Sequence, residues 1–226
     1  MSRGIDISRI APEVALENSF AETIEEGTSK KLNGRPSIIL VAPPRTGKSI
    51  IADRLKQQFG YKIIRIDELR WKFIKEYSKP EWKRLAHPNL SNLISGLKTG
   101  HVIEGDDLLD FFETESEQDY VTAKDDLFAD VVPIFLGAAS ESPEEKCQSI
   151  LSYREKNYCW TRKQLPTVAE VMKLARHLTK MSKRSRLISE QRGLQYFEIR
   201  SASFNDDIQS VVDFVSEHAR ADGNCG

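Results

Sequence analysis

The chain has 226 residues, enough for one sizeable α/β domain to bury a core without metal or disulfide staples. Hydrophobic residues make up 39% and charged residues 30%, and 33 Lys and Arg stand against 34 Asp and Glu, so bulk charge selects neither a nucleic acid nor a membrane as partner. Three cysteines without C-x-x-C spacing argue for reduced thiols in a cytoplasmic protein, and no stretch approaches the roughly 18 apolar residues of a membrane span.

Residues 1 to about 35 read as a polar N-terminal extension with one short helix, Glu13 to Glu25, closed by the turn-rich "GTSKKLNGRP". Such a segment is a tail, an arm or a regulatory cap. The domain proper, residues 36–226, opens with "SIILV", a continuous apolar run suited to a strand buried on both faces. After a loop, "KSIIADRLKQQFG" carries apolar residues at helical spacing. A second strand follows in "YKIIRI" (Tyr61 to Ile66), then a helix from about Glu68 to Tyr77 and, after Pro88, another from about Leu90 to Leu97. The third strand is "HVIEG", His101 to Gly105.

Residues 104–130 hold eleven acidic side chains and one basic, Lys124. The fourth strand is "VVPIFL" (Val131 to Leu136), with Pro133 expected at its start or at a bulge because proline cannot donate to a ladder. Two helices then announce themselves with capping boxes, Ser142-Pro143-Glu144-Glu145 and Thr167-Val168-Ala169-Glu170, the second running to about Glu190. A fifth strand, "LQYFEI" (Leu194 to Ile199), leads through "RSASFND" to a last helix from Asp206 to Ala219, capped by Asn205. Five strands alternating with helices predict a parallel sheet covered on both faces.

Between the first strand and its helix lies "APPRTGKS", Ala42 to Ser49. It follows the phosphate-loop pattern G-x-x-x-x-G-K-[ST] with alanine in place of the first glycine, and strand, loop, helix is the context that pattern requires. Anion binding by such a loop rests on N–H groups that converge at the helix N-terminus, here around Arg45 to Ser49. Pro43 and Pro44 precede those donors, so they stiffen the entry without removing one, while Ala42 restricts the turn to negative φ. The predicted nucleotide-binding set is Ala42, Arg45, Thr46, Gly47, Lys48 and Ser49. Lys48 is expected on the β- and γ-phosphates, and Ser49 is expected to offer its hydroxyl to Mg2+.

With "APPRTGKS", "IIRIDELR" closing the second strand and "HVIEGDDLL" closing the third, residues 36 to 218 resemble the P-loop kinases of the nucleoside-monophosphate-kinase class. The likeness is to the shikimate-kinase-like and 2-phosphoglycerate-kinase-like enzymes that phosphorylate small molecules. It implies a three-layer α/β P-loop NTPase fold, a five-stranded parallel sheet of order 2-3-1-4-5 and a helical lid. It also implies ATP and Mg2+ as cofactors. Asp67 would orient or deprotonate an acceptor hydroxyl, and Arg70 would clamp an anionic group on that acceptor. Glu104 would hold the metal through water, Gly105 would let the acceptor approach the backbone, and Asp106 would contact it.

The class closes a basic lid over the phosphates, and residues 142–192 are the basic region here, with twelve Lys or Arg against five acidic residues from Glu144 to Arg192. Arg162 and Arg184 are the lid candidates for stabilising the transferring phosphoryl group. The class also packs adenine near the position of "RSASFND". The D-G-F-P-R element of true nucleoside monophosphate kinases and a clean R-x-x-x-R lid spacing are missing, which disfavours a nucleotide acceptor. The reading is therefore an ATP- and Mg2+-dependent phosphotransferase acting on a small polar, anionic acceptor. Its alternatives are a zeta-toxin-like kinase of nucleotide sugars and a nucleotide-binding ATPase or switch acting on a protein partner. No nucleic-acid partner is expected, since the acidic segment beside the acceptor site would repel a polyanion.

Overall fold

The structure, a computed structural model, describes residues 11–28, 35–114, 131–157 and 160–221. Five parallel strands form its centre: β1 (Ser37–Val41), β2 (Lys62–Arg65), β3 (His101–Gly105), β4 (Val131–Gly137) and β5 (Gln195–Glu198), in the spatial order β2-β3-β1-β4-β5. This is the architecture and strand order of the P-loop NTPase fold. Every residue of β1 is buried, as its unbroken apolar run requires. Ile39 and Val41 face one core and Ile38 and Leu40 the other, the period of two carried by any strand between two helical layers.

One layer holds α2 (Lys48–Phe59) and the last helix, α9 (Phe204–Ala221), whose Ile51, Leu55, Ile208 and Val212 close on Ile38 and Leu40. The other layer holds α1 (Pro12–Thr28), α3 (Ile66–Glu76), α4 (Lys79–Gly96) and α5 (Asp107–Thr114). A satellite cluster of Cys147, Ile150, Val171, Ala175 and Leu178 packs α6 (Pro143–Lys156) against α8 (Val168–Gln191), with the short α7 (Trp160–Gln164) between them. Both predicted capping boxes are formed: Ser142 and Thr167 accept the N–H groups of Glu145 and Glu170, whose carboxylates return to the cap residues.

Several boundaries differ from the sequence reading. Residues 12–28 form a longer helix than expected, and α1 packs on the domain: Leu16 and Phe20 are buried, Phe20 lies 6.2 Å from Trp82, and Glu13 pairs with Arg84 at 2.6 Å. Helix α4 starts at Lys79, eleven residues before the predicted Leu90, and carries Pro88 inside it. Ser78 caps it by accepting the Glu81 N–H, and the Asn89 side chain donates to the Leu85 carbonyl at 2.9 Å in the turn that Pro88 disturbs. Pro133 sits inside β4, where the ladder to β5 starts only at Ile134, one residue later. Asn205 is not the cap of the last helix, which begins at Phe204 and has Ser203 donating to Asp207 at 2.8 Å. Residues 115–130, the greater part of the acidic segment, lie outside the described residues. No helix among the described residues is long and apolar enough to cross a membrane.

Candidate active site at the phosphate loop

Strand order decides where the site falls. β1 has β3 on one side and β4 on the other, so the connections leaving it and its neighbours diverge at the carboxyl edge and open a crevice there. The loop from Ala42 to Gly47 crosses that edge. Arg45 (φ 64°) and Gly47 (φ 85°) are left-handed, and Ala42 is not. Left-handed turns of this kind fold successive N–H groups inward. The first backbone bond of α2 runs from Ile51 N–H to the Gly47 carbonyl at 3.0 Å, so the amides before it emerge at the positive end of the helix. Gly47 has a second constraint: a Cβ there would lie 2.6 Å from Ile208 Cδ1 and 3.0 Å from Phe204 Cζ.

Ala42 and Pro43 turn out to serve through their carbonyls. Lys48 Nζ donates to the Ala42 oxygen at 2.9 Å and to the Pro43 oxygen at 3.1 Å, and Thr46 Oγ1 donates to the Pro43 oxygen at 2.8 Å. The third partner of Lys48 is Asp106 Oδ1 at 2.6 Å. Asp106 was expected to contact the acceptor; in the structure it pairs with the loop lysine. Its N–H also donates to Asp67 Oδ1 at 3.3 Å, so one residue links the loop to the carboxylate after β2.

Asp67 lies in the first turn of α3, and Arg70 bonds it at 3.1 Å and Asp107 at 2.7 Å. Burial pushes the Asp67 carboxyl above its usual range, and the neighbouring Asp106 charge adds to that shift. Asp107 is pushed up in the same way by burial, which Arg70 opposes. Glu104 ends β3 almost wholly buried, 3.2 Å from Ser49 Oγ and 3.1 Å from Arg65 Nε. Arg65 is its register partner on β2, and desolvation raises the Glu104 pKa against the pull of Ser49, Lys48 and Arg65. Glu104 and the Ser49 hydroxyl form a hard oxygen pair suited to Mg2+ when substrate phosphates supply further ligands. Among the described residues no group of three or more His, Cys, Asp or Glu could hold a metal by itself.

A cavity of about 700 Å3 joins these parts. It is lined by the loop (Arg45, Lys48, Ser49) and by residues at or just after the strand ends (Arg65, Asp67, Glu104, Asp106). Lys146 and Tyr153 of α6, with Ser201 and Phe204 before and at the start of α9, complete the lining. The "RSASFND" stretch thus reaches the cavity. Arg45 stacks over Tyr153 with its guanidinium carbon 5.3 Å from the ring centroid. Lys146, nearly buried, sits 3.4 Å from Glu141 Oε2, and Glu141 also accepts the Ser201 N–H, which ties the start of α6 to the loop after β5.

Other predicted residues are placed elsewhere. Arg184 is held on α5 by Asp110 at 2.9 Å and by Glu113, away from the cavity lining. Arg70 is also not among the lining residues. The Arg162 side chain lies outside the described residues. The space beside Gly105 is taken up by the protein: a Cβ there would sit 2.6 Å from Ile66 Cβ, so that glycine admits Ile66 where an approaching acceptor had been expected. Sequence reasoning missed Arg65 and Lys146. Arg65 carried no signal beyond a charge in a strand, whereas Lys146 stood one position past the third residue of a capping-box helix and could have been inferred to face back toward the loop.

No protein-family model matches the chain, and no curated protein matches it. Among solved structures it is similar to the YorR protein of Bacillus subtilis, whose crystal structure is a complex with phosphorylated GDP, at 16% identity over 80% of this chain and 95% of that one, with a TM-score of 0.47. It is also similar to a chain of the PezAT chromosomal toxin-antitoxin system of Streptococcus pneumoniae, at 16% identity over 95% of this chain and all of that one, with a TM-score of 0.42.

Proposed function

We propose that the protein is an ATP- and Mg2+-dependent phosphotransferase that moves the γ-phosphoryl group of ATP to a hydroxyl of a small polar acceptor. The observation that carries this reading is the single cavity lined both by Lys48 of the phosphate loop and by the half-exposed carboxylate of Asp67.

The loop amides and Lys48 bind the β- and γ-phosphates, and Arg45 and Lys146, which line the same cavity, add positive charge. Lys146 takes the lid role that Arg184, engaged by Asp110 and Glu113, is not placed to fill. Ser49 and Glu104 would hold Mg2+, which supplies neutralisation of the charge that develops on the phosphates. Asp67, made more basic by burial and by Asp106, accepts the proton of the acceptor hydroxyl. The acceptor oxygen forms its bond to the γ-phosphorus as the bond to the β–γ bridging oxygen breaks, and ADP departs.

The test incubates the protein with γ-labelled ATP, Mg2+ and a broad metabolite pool. Label is expected on an organic product, and label found only as free phosphate would instead support an ATPase or switch. Asp67→Asn is expected to keep ATP affinity while lowering transfer by about 100-fold or more, and full activity in that variant would remove Asp67 from the mechanism.

A further inference from the structure

The cavity is lined by charges of both signs. Arg45, Lys48 and Lys146 are matched to a polyphosphate. The carboxylates are Asp67, Glu104 and Asp106, and the remaining lining cation, Arg65, is already shared among Asp53, Glu68 and Glu104 at 3.1, 3.8 and 3.1 Å. The anionic acceptor expected from the sequence depended on a free Arg70. That guanidinium lies between Asp67 and Asp107, and neither Arg70 nor Asp107 lines the cavity. A carboxylate or phosphate placed against Asp67 and Asp106 would meet two carboxylates, and the cations on them, Arg70 and Lys48, are already engaged by those same carboxylates.

A second observation says what one of these carboxylates holds. Asp106 Oδ1 accepts a short charge-assisted hydrogen bond from a primary ammonium, that of Lys48, at 2.6 Å. If Lys48 turns to the phosphates of an incoming nucleotide, Asp106 keeps its position beside Asp67 and loses its cation. We infer that the acceptor is an amino alcohol or amino sugar, whose ammonium replaces that of Lys48 on Asp106 while its hydroxyl is presented to Asp67. This rests on the phosphotransferase reading and names its substrate class. The transfer balances as R–OH plus ATP giving the phosphate ester plus ADP, with the hydroxyl proton passing to Asp67 and the amine protonated throughout.

The order of binding follows. The acceptor site is complete only after nucleotide has drawn Lys48 away. The full chain is titrated with glucosamine, serinol and a multi-amino aminoglycoside by calorimetry, with and without a non-hydrolysable Mg·ATP analogue. The same compounds are then compared as acceptors of γ-labelled phosphate with glucose, glycerol and inositol, and with glycerate, shikimate and a uridine-diphosphate amino sugar. At least one amine is expected to bind at least about tenfold tighter with the analogue present, and to take label at least about tenfold faster than the neutral and anionic compounds. Asp106→Asn should lower the preference for amines over neutral polyols by a similar factor, and Asp106→Glu should restore part of it. Preference for an anionic or neutral acceptor, amine binding indifferent to nucleotide, or an unchanged preference in Asp106→Asn would overturn the inference while leaving the phosphotransferase reading in place. Release of free phosphate alone with every compound would overturn both.

Discussion

At Gly47 the left-handed backbone, φ 85°, and the approach of Ile208 and Phe204 act on the same atom position, so any side chain there strains the loop and pushes α9 off it. Gly47→Ala is expected to cost about 1–3 kcal/mol and to weaken Mg·ATP binding, which urea denaturation and nucleotide titration measure on the same sample. The desolvated carboxylates give a second test. Asp67, Glu104 and Asp107 are all pushed above their usual pKa values, so between those values, 3.8 for Asp and 4.5 for Glu, and their raised ones the fold binds more protons than the unfolded chain. Their contribution to stability is therefore most favourable at low pH and declines as pH rises through the raised values. Glu104→Gln should raise the Tm above pH 7 and lose that advantage below about pH 4, and a Tm difference that does not change with pH would contradict the assigned burial. The positions of Gly47, Lys48 and Ser49 at the turn from β1 into α2 were legible in the sequence because a loop that turns into a helix is defined locally. For Arg70 the sequence showed the residue type and not its occupancy, since the partner that engages it alongside Asp67, Asp107, comes from a different strand end.

Helix α1 tests the fold at the level of elements. Its Phe20 is buried against Trp82 in the core beside β1 and β3, so the N-terminal segment over residues 12–28 contributes to the domain's stability. Phe20→Ala is expected to lose about 3–5 kcal/mol in denaturant unfolding, whereas a segment that merely decorates the surface would lose almost nothing. The strands were legible to within a residue or two, because short continuous apolar runs rich in β-branched residues leave little choice. Helix α4 was not, because Pro88 was read as a breaker. The signal that should have prevailed was Ser78-Lys79-Pro80-Glu81, a cap with proline just inside the helix, the same grammar that located α6 and α8. At the last helix a good cap residue, Asn205, misled the reading by lying one residue inside an earlier start.

For the molecule as a whole, the sheet order makes the cavity. β1 between β3 and β4 brings the phosphate loop, the β3 carboxylate Glu104 and the turn after β2 to one edge, and α6 with the loop after β5 covers them. The edge could be anticipated once the strands and the loop were recognised, since open parallel sheets place ligands where the order reverses. The covering wall could not. Lys146 and Ser201 are 55 residues apart, and the packing of α6 and the Glu141 bridge to both residues bring them to the same cavity. The measurement that bears most directly on the central claim, that Ala42 to Ser49 is a nucleotide-binding loop, is calorimetric titration of Mg·ATP into the wild-type chain and into Lys48→Ala, with folding verified by circular dichroism. The wild-type chain should bind and gain about 2.7 kcal/mol of stability at a hundredfold excess over Kd, and Lys48→Ala should bind at least about tenfold more weakly with its helix content intact. Equal affinity in the two proteins, or no binding to the wild-type chain, would contradict the account.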